Sequence, residues 1–329
     1  MTRLDSAHRL LVSSALVSSW TEKIRSGDVR SISRAITAIE DARPEAETLL
    51  RELFPHTGRA AIVGVTGAPG TGKSTLVDRL AAHYRREGQT VGILAIDPTS
   101  PFTGGAILGD RIRMQGHASD SGIFIRSMAT RGWLGGLAQS TAEAALVLDA
   151  AGKDIILIET VGVGQDEVEI VRLADCTLVV LVPGLGDDVQ SLKAGLMEIA
   201  DLFVINKADQ PGADRFERQL RAVLEIVPER DGWRPPLVRT VATEDKGVVE
   251  LATAIERFGA TVKDGGKRSR RRVEHWRERL IELLHRRLML RVGQHLDAAQ
   301  LERLATAVAA RQMDPFAAVD EILERAGIR

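Results

Sequence analysis

The stretch Gly67-Ala68-Pro69-Gly70-Thr71-Gly72-Lys73-Ser74 combines glycines, a lysine and a hydroxyl in the pattern that cradles a chain of phosphates. Glycines let successive backbone N–H groups turn inward around phosphate oxygens, and a helix starting at the lysine adds the partial positive charge of its N-terminus. Lys73 would neutralise the outer phosphates and the Ser74 hydroxyl would ligate Mg²⁺. The apolar run Ala61-Ile62-Val63-Gly64-Val65 precedes the motif, and a helical run from Thr75 to Arg86 follows it. This strand–loop–helix context implies binding of a nucleoside triphosphate, with Thr75 also in reach of the phosphates.

A second motif selects the base. Leu202-Phe203-Val204-Ile205 reads as a short buried strand, and Asn206-Lys207-Ala208-Asp209 follows it directly. A carboxylate at Asp209 accepts hydrogen bonds from the ring N–H and the exocyclic amine of guanine. Adenine lacks that donor pair and would leave the acid desolvated and unpaired, which is costly. Asn206 would brace the surrounding loops, and the stem of Lys207 would cover one face of the base. The loop Val241-Ala242-Thr243 follows the next apolar run, and the backbone N–H of Ala242 is a further candidate contact to the base. The implied cofactors are GTP and GDP.

Further residues fit a metal and phosphate environment. Asp154-Ile155-Ile156-Leu157-Ile158-Glu159 reads as a buried strand ending in a carboxylate, followed by Thr160-Val161-Gly162. Glu159 suits the Mg²⁺ shell, and Gly162 could bring its N–H to a γ-phosphate without steric obstruction. The run Val91 to Ile96 ends at Asp97-Pro98, and a glycine-rich loop beyond carries Asp110. Long glycine-rich loops are more often functional than passive, so Asp97 and Asp110 are candidate metal-shell carboxylates. Pro183-Gly184-Leu185-Gly186-Asp187-Asp188 leads toward a helix bearing Lys193. Spacing alone reads that segment as an ordinary strand-to-helix turn with an aspartate cap.

These residues need a scaffold of alternating elements. Apolar runs at 61–66, 91–96, 122–126, 155–158, 177–182, 202–205 and 237–241 alternate with longer amphipathic stretches. That alternation predicts an α/β fold, a mostly parallel sheet flanked by helices. Residues 1–57 show helical spacing without a strand, and after Lys263-Asp264-Gly265-Gly266-Lys267 the pattern is again helical only. The expected domains are a helical N-terminal extension over 1–57, a nucleotide domain over 58–260 and a helical C-terminal arm over 261–329.

Composition narrows the function classes. At 329 residues the chain is long enough for a substantial core, and its net charge of −1 gives no global field toward nucleic acid or an anionic membrane. The single cysteine, Cys176, reads as a small core residue, and no Cys/His cluster has metal-ligand spacing. No apolar run approaches about 18 residues and no signal pattern opens the chain, so no membrane span is expected and the cytoplasm is the expected compartment. Residues 267–291 interleave arginines with apolar positions at helical steps, which predicts one buried face. The arginines fit a solvated opposite face, or a docking surface for an acidic partner.

Taken together, Gly64-Val65-Thr66-Gly67-Ala68-Pro69-Gly70, Ala95-Ile96-Asp97-Pro98, Gly104-Gly105-Ala106-Ile107-Leu108-Gly109-Asp110-Arg111, Leu134-Gly135-Gly136 and Glu159-Thr160-Val161-Gly162-Val163-Gly164-Gln165 carry a resemblance. The chain resembles the MeaB/MMAA/ArgK group of P-loop GTPases over nearly its whole length. Members of that group are chaperones of cobalamin-dependent methylmalonyl-CoA mutase or its relatives. The resemblance implies that Ser74, Asp97, Asp110 and Glu159 build the Mg²⁺ environment, with Lys73 and Lys193 as further catalytic-site residues. It implies mobile loops near 97–113, 159–168 and 183–193, the last serving control by the mutase. It also implies a homodimer gripped by the C-terminal helices, with an acyl-CoA mutase and a cobalamin adenosyltransferase as partners.

Two departures from the group's pattern stand out, Ala106 in place of a serine and the large Trp133 before Leu134-Gly135-Gly136. With no evident arginine finger or glutamine base, slow intrinsic hydrolysis accelerated by a partner is expected. The alternatives are a kinase acting on a transport protein or small molecule, and a metallochaperone GTPase. The absence of a histidine-rich tract argues against the latter.

Overall fold

The computed structural model describes residues 17–97, 120–129, 136–160, 173–184, 199–226, 229, 232–264 and 267–328. Seven strands form one sheet: β1 (Ala61–Thr66), β2 (Val91–Asp97), β3 (Ile123–Ala129), β4 (Ile155–Glu159), β5 (Cys176–Leu181), β6 (Leu202–Ile205) and β7 (Leu237–Arg239). Their spatial order is β3-β2-β4-β1-β5-β6-β7, and every neighbouring pair is parallel. The order reverses at β1, with earlier-paired strands on one side and β5 to β7 on the other. In open parallel sheets that switch point, beyond the carboxyl ends of the strands, is where ligands bind.

Helices cover both faces. They are α1 (ending at residue 25), α2 (Val29–Glu40), α3 (Pro44–Leu53), α4 (Lys73–Arg86), α5 (Gly136–Ala150), α6 (Ala213–Ile226) and α7 (Val248–Asp264). Strand residues alternate between the faces, as a doubly covered sheet requires. Leu94, Ile96, Ile156 and Ile158 meet α2, α3 and α5, whereas Ile93, Leu157, Leu178 and Val204 meet α4 and α7. Phe203 and Ile205 pack with Phe216, Leu220 and Leu224 of α6. The helices before the sheet therefore share a core with it. The chain divides after Gly265 into two compact units. The second contains α8 (Lys267–Gly293), α9 (Ala298–Ala309) and α10 (Pro315–Arg325).

The fold class expected from the apolar runs is the one observed, and β3 runs three residues past its apolar run. β3 continues past Arg126 and Ser127 to Ala129, pairing with β2 through the register Asp97↔Ala129. A charged residue is tolerated there because Arg126 forms an ion pair with Glu40 of α2 and donates to Thr37 Oγ1 at 3.1 Å.

The amino ends of the strands are tied by carboxylates. Asp149 accepts from the N–H groups of Gly58, Arg59 and Ala60 at 2.5, 3.1 and 3.0 Å. Asp175 accepts from Ile62 N at 3.1 Å and Asp201 from Thr177 N at 3.0 Å. These acids satisfy backbone donors where β1 and β5 begin. They leave the opposite, carboxyl end of the sheet for the phosphate loop.

Candidate functional site

β1 ends at Thr66, and the loop from Gly67 to Gly72 turns directly into α4, whose first residue is Lys73. Two glycines are required by close approach and by backbone conformation together. At Gly67, with φ of 143°, a Cβ would stand 2.2 Å from the Val180 carbonyl oxygen of β5. At Gly72, with φ of 87°, it would stand 2.5 Å from Asn206 Nδ2. Gly72 is the N-cap of α4 and supplies no side chain there, so the helix start presents backbone donors. Ala68, Pro69, Gly70 and Thr71 complete the turn, with Thr71 Oγ1 donating to Ala68 O at 2.9 Å. Thr75 lies in the first turn of α4.

Lys73 is buried, and its Nζ donates to the carbonyls of Gly67 at 2.7 Å and Ala68 at 3.1 Å. The ammonium is thereby held under the loop, at the helix N-terminus, where positive potential is concentrated. Ser74 Oγ donates to Glu159 Oε1 at 2.6 Å. This bond exists because β4 lies beside β1 in the register Val65↔Glu159, which places the end of β4 against the first turn of α4. Glu159 is buried. Next to it, Thr160 is pinned twice, by its N–H to Val65 O and by its Oγ1 to Thr66 Oγ1, both at 3.0 Å.

Asn206 joins three loops. Its Nδ2 donates to Thr71 O at 2.8 Å, and its Oδ1 accepts from Thr240 Oγ1 and Ala242 N, each at 3.1 Å. Lys207 has a left-handed backbone, with φ of 53°, and its Nζ donates to Gly70 O at 2.9 Å. Asp209 is exposed on the following turn. Lys246 lies in its field: a hydrogen bond from Lys246 to Glu244 raises the lysine pKa most, and the charge on Asp209 adds to the effect. The base-side residues and the phosphate loop therefore form one hydrogen-bonded assembly.

Asp97 ends β2, at the same carboxyl edge of the sheet as Glu159. Asp110, Gly162, Lys193, Ala106 and Trp133 lie outside the described residues. Ser74 and Glu159 offer hard oxygen donors side by side, the chemistry that suits Mg²⁺. Among the described residues there is no group of three His, Cys, Asp or Glu that could hold a metal ion by itself. None of their helices is long and apolar enough to cross a membrane.

Sequence reasoning missed the supporting partners. The Thr66–Thr160 hydroxyl pair and the Thr240–Asn206 bond join residues 94 and 34 positions apart. Nothing in local spacing marks them. Arg239, which contacts the loop before Asp209, sits within an apolar run that gives no reason to single it out.

A parallel sheet whose switch point carries a phosphate loop, a carboxylate on the adjacent strand and an Asn-Lys-x-Asp turn defines a P-loop GTPase. The family described as Methylmalonyl Co-A mutase-associated GTPase MeaB matches residues 32–297, and the chain belongs to that family. It is 49% identical over 312 residues to a GTPase-designated protein of Pyrococcus abyssi, covering 94% of this chain and 96% of that one. It is 34% identical over 276 residues to the mitochondrial methylmalonic aciduria type A homolog of Caenorhabditis elegans, covering 78% and 69% respectively. A crystal structure titled LAO/AO transport system kinase superposes with a TM-score of 0.71 at 27% identity, covering 94% of this chain and 97% of that one. The protein is a GTPase: it binds guanine nucleotide and hydrolyses GTP.

Proposed function

We propose that this GTPase is a chaperone of a cobalamin-dependent acyl-CoA mutase of the methylmalonyl-CoA type, gating cofactor loading and protecting or reactivating the mutase. The observation that carries the reading is the family match over residues 32–297, which spans the nucleotide site and continues into the C-terminal helices. A cobalamin adenosyltransferase is the second partner this reading implies.

In the proposed mechanism the phosphate-loop amides and Lys73 hold the phosphates and stabilise negative charge that spreads as water attacks the γ-phosphorus in line. Ser74 and Glu159, with Asp97 and Asp110, would hold Mg²⁺, which when bound supplies charge neutralisation between the outer phosphates. Glu159 keeps Ser74 oriented through the 2.6 Å bond. Gly162 donates its N–H to the γ-phosphate, and Asn206, Lys207, Asp209 and Ala242 surround the guanine. Lys193 belongs to the loop through which the mutase would control hydrolysis. Thr160, pinned to β1, holds the end of β4 against the strand that leads into the phosphate loop.

The C-terminal arm, residues 261–329, is read as the dimerisation element. Along α8, Val273, Leu280, Leu284 and Leu288 recur at one- and two-turn steps and are exposed, at 66%, 63%, 57% and 36%. An apolar stripe of that length on a helix suits a second copy of the chain.

The deciding experiment measures GTP hydrolysis by the purified protein, alone and with a methylmalonyl-CoA-type mutase from the same organism, with ATP as control nucleotide. Slow, GTP-selective turnover that rises strongly with the mutase is the expected result. Unchanged turnover despite intact binding overturns the chaperone reading. Transfer of phosphate to a protein acceptor in place of phosphate release would favour a kinase activity instead.

A further inference from the structure

Arg239 ends β7, the strand at one edge of the sheet, and pairs in register with Ile205, the residue before Asn206. Its guanidinium is anchored on α6, where Nη1 donates to Asp214 Oδ1 at 2.6 Å and to Glu217 Oε2 at 3.2 Å. From that anchor Nη2 reaches across and donates to the Ala208 carbonyl at 3.1 Å. The N–H of the same residue, Ala208, donates to Thr240 O at 3.1 Å. Both backbone polar atoms of the residue preceding Asp209 are thus held by consecutive residues at the end of β7. The turn is closed by Gln210 N donating to Lys207 O at 3.0 Å.

The anchor is itself ordered. Glu217 accepts from Arg221 at 2.9 and 2.6 Å through its other oxygen, and its side chain is only 17% exposed. Asp214, at 75% exposure, is the looser partner. The far side of Arg239 is constrained too, because a Cβ at Gly247 would stand 2.0 Å from the Arg239 carbonyl oxygen. The loop from Thr240 to Gly247 therefore folds directly onto this arginine's backbone.

We propose that Arg239, held by Asp214 and Glu217, is a positioning residue for base selection: through the Ala208 carbonyl it sets where the Asp209 carboxylate stands to receive the guanine ring N–H and 2-amino group. The inference rests on the reading of Asp209 as the residue that recognises the base. A planar guanidinium fork suits the role, because it donates in two directions from one rigid group. An exposed ion pair with no such role contributes little beyond a small increment of stability and would not distinguish one base from another.

The test compares affinities of the full chain for GDP and for inosine diphosphate, which lacks only the 2-amino group of guanine. In the wild type the ratio of the two reports the work of Asp209. Arg239→Ala is expected to lower that ratio about five- to tenfold, the size of one ordinary hydrogen bond, with a smaller loss of affinity for inosine diphosphate, which keeps only the ring N–H to offer Asp209. Arg239→Lys should fall between, because one ammonium cannot span the carboxylates and the Ala208 carbonyl. Glu217→Gln, which leaves the arginine in place, should lower the ratio less and guards against a misfolded alanine variant. Asp209→Asn should collapse the ratio toward unity, and adding Arg239→Ala to it should lower the ratio no further. If Arg239→Ala and Arg239→Lys weaken both nucleotides equally, or neither, while Asp209→Asn still collapses the ratio, Arg239 is only structural. If Asp209→Asn leaves the ratio intact, the base-recognition reading fails and the role of Arg239 falls with it.

Discussion

Asn206 Nδ2 and the Thr71 carbonyl oxygen, from residues 135 positions apart, are joined by a hydrogen bond of 2.8 Å. Through this bond the base-side turn after β6 and the phosphate loop after β1 hold each other. The same side chain carries Thr240 and Ala242 on its Oδ1. Removing it strands a buried carbonyl, a buried hydroxyl and a buried N–H. Asn206→Ala is expected to destabilise the nucleotide-free protein by about 2 kcal/mol and to weaken GDP binding at least tenfold. Urea unfolding and calorimetric titration would measure the two effects separately; a change in binding without a change in stability would contradict the bracing role.

Glu159 orients Ser74 and carries a charge, and two variants separate these contributions. Glu159→Gln keeps an oxygen for the 2.6 Å contact but removes the charge. GDP affinity should change little, while single-turnover hydrolysis should fall on the order of a hundredfold, the scale seen when an electrostatic partner is removed from an active site. Glu159→Asp keeps the charge and withdraws it from Ser74 by one methylene, so hydrolysis should recover in part. Equal rates for wild type and Glu159→Gln would show that the charge is not used.

Lys153 gives a pH-dependent prediction away from the site. It is buried at the amino end of β4, where its Nζ donates to Gly122 O at 3.0 Å. Burial, and then the charge on Arg85, pull its pKa below the ordinary lysine value, against the opposing charges of Asp120 and Asp154. Between the lowered value and the ordinary one the folded chain binds fewer protons here than the unfolded chain, so stability rises with pH across that window. Lys153→Met lacks this contribution. The unfolding free energy of the wild type should therefore gain on that of Lys153→Met from neutral pH to about pH 10. A constant difference between the two proteins would rule the effect out.

Tyr84 is fully buried in α4, and its hydroxyl has no hydrogen-bond partner among the described residues. Burial raises its pKa, so the phenol stays protonated across the accessible range. Tyr84→Phe removes a desolvated polar group while keeping the ring against His83. Chemical denaturation should show a gain of about 1 kcal/mol. A loss of that size would reveal a partner for the hydroxyl.

Much of this was legible along the chain because the relevant signals are local. The glycines at Gly67 and Gly72, the lysine and the serine stand within one turn, and a strand precedes them and a helix follows. Burial on both faces makes the strands read as short apolar runs, and β4 and β6 match their runs closely. β3 was legible only to Arg126, because an arginine inside a strand looks like its end until Glu40 is seen beside it.

The sequence by itself determined the class of chemistry and the set of elements, since a phosphate loop and an alternating pattern depend on neighbours in the chain. Tertiary structure decided which distant groups support that chemistry. Ser74 meets Glu159 because β4 is inserted next to β1. Asn206 meets Thr71 because β5 separates β1 from β6 by a single strand. Arg239 meets Ala208 because β7 completes the same edge. These contacts follow from strand order, which is set by how the whole apolar surface is buried and leaves no mark in the spacing of the residues it brings together.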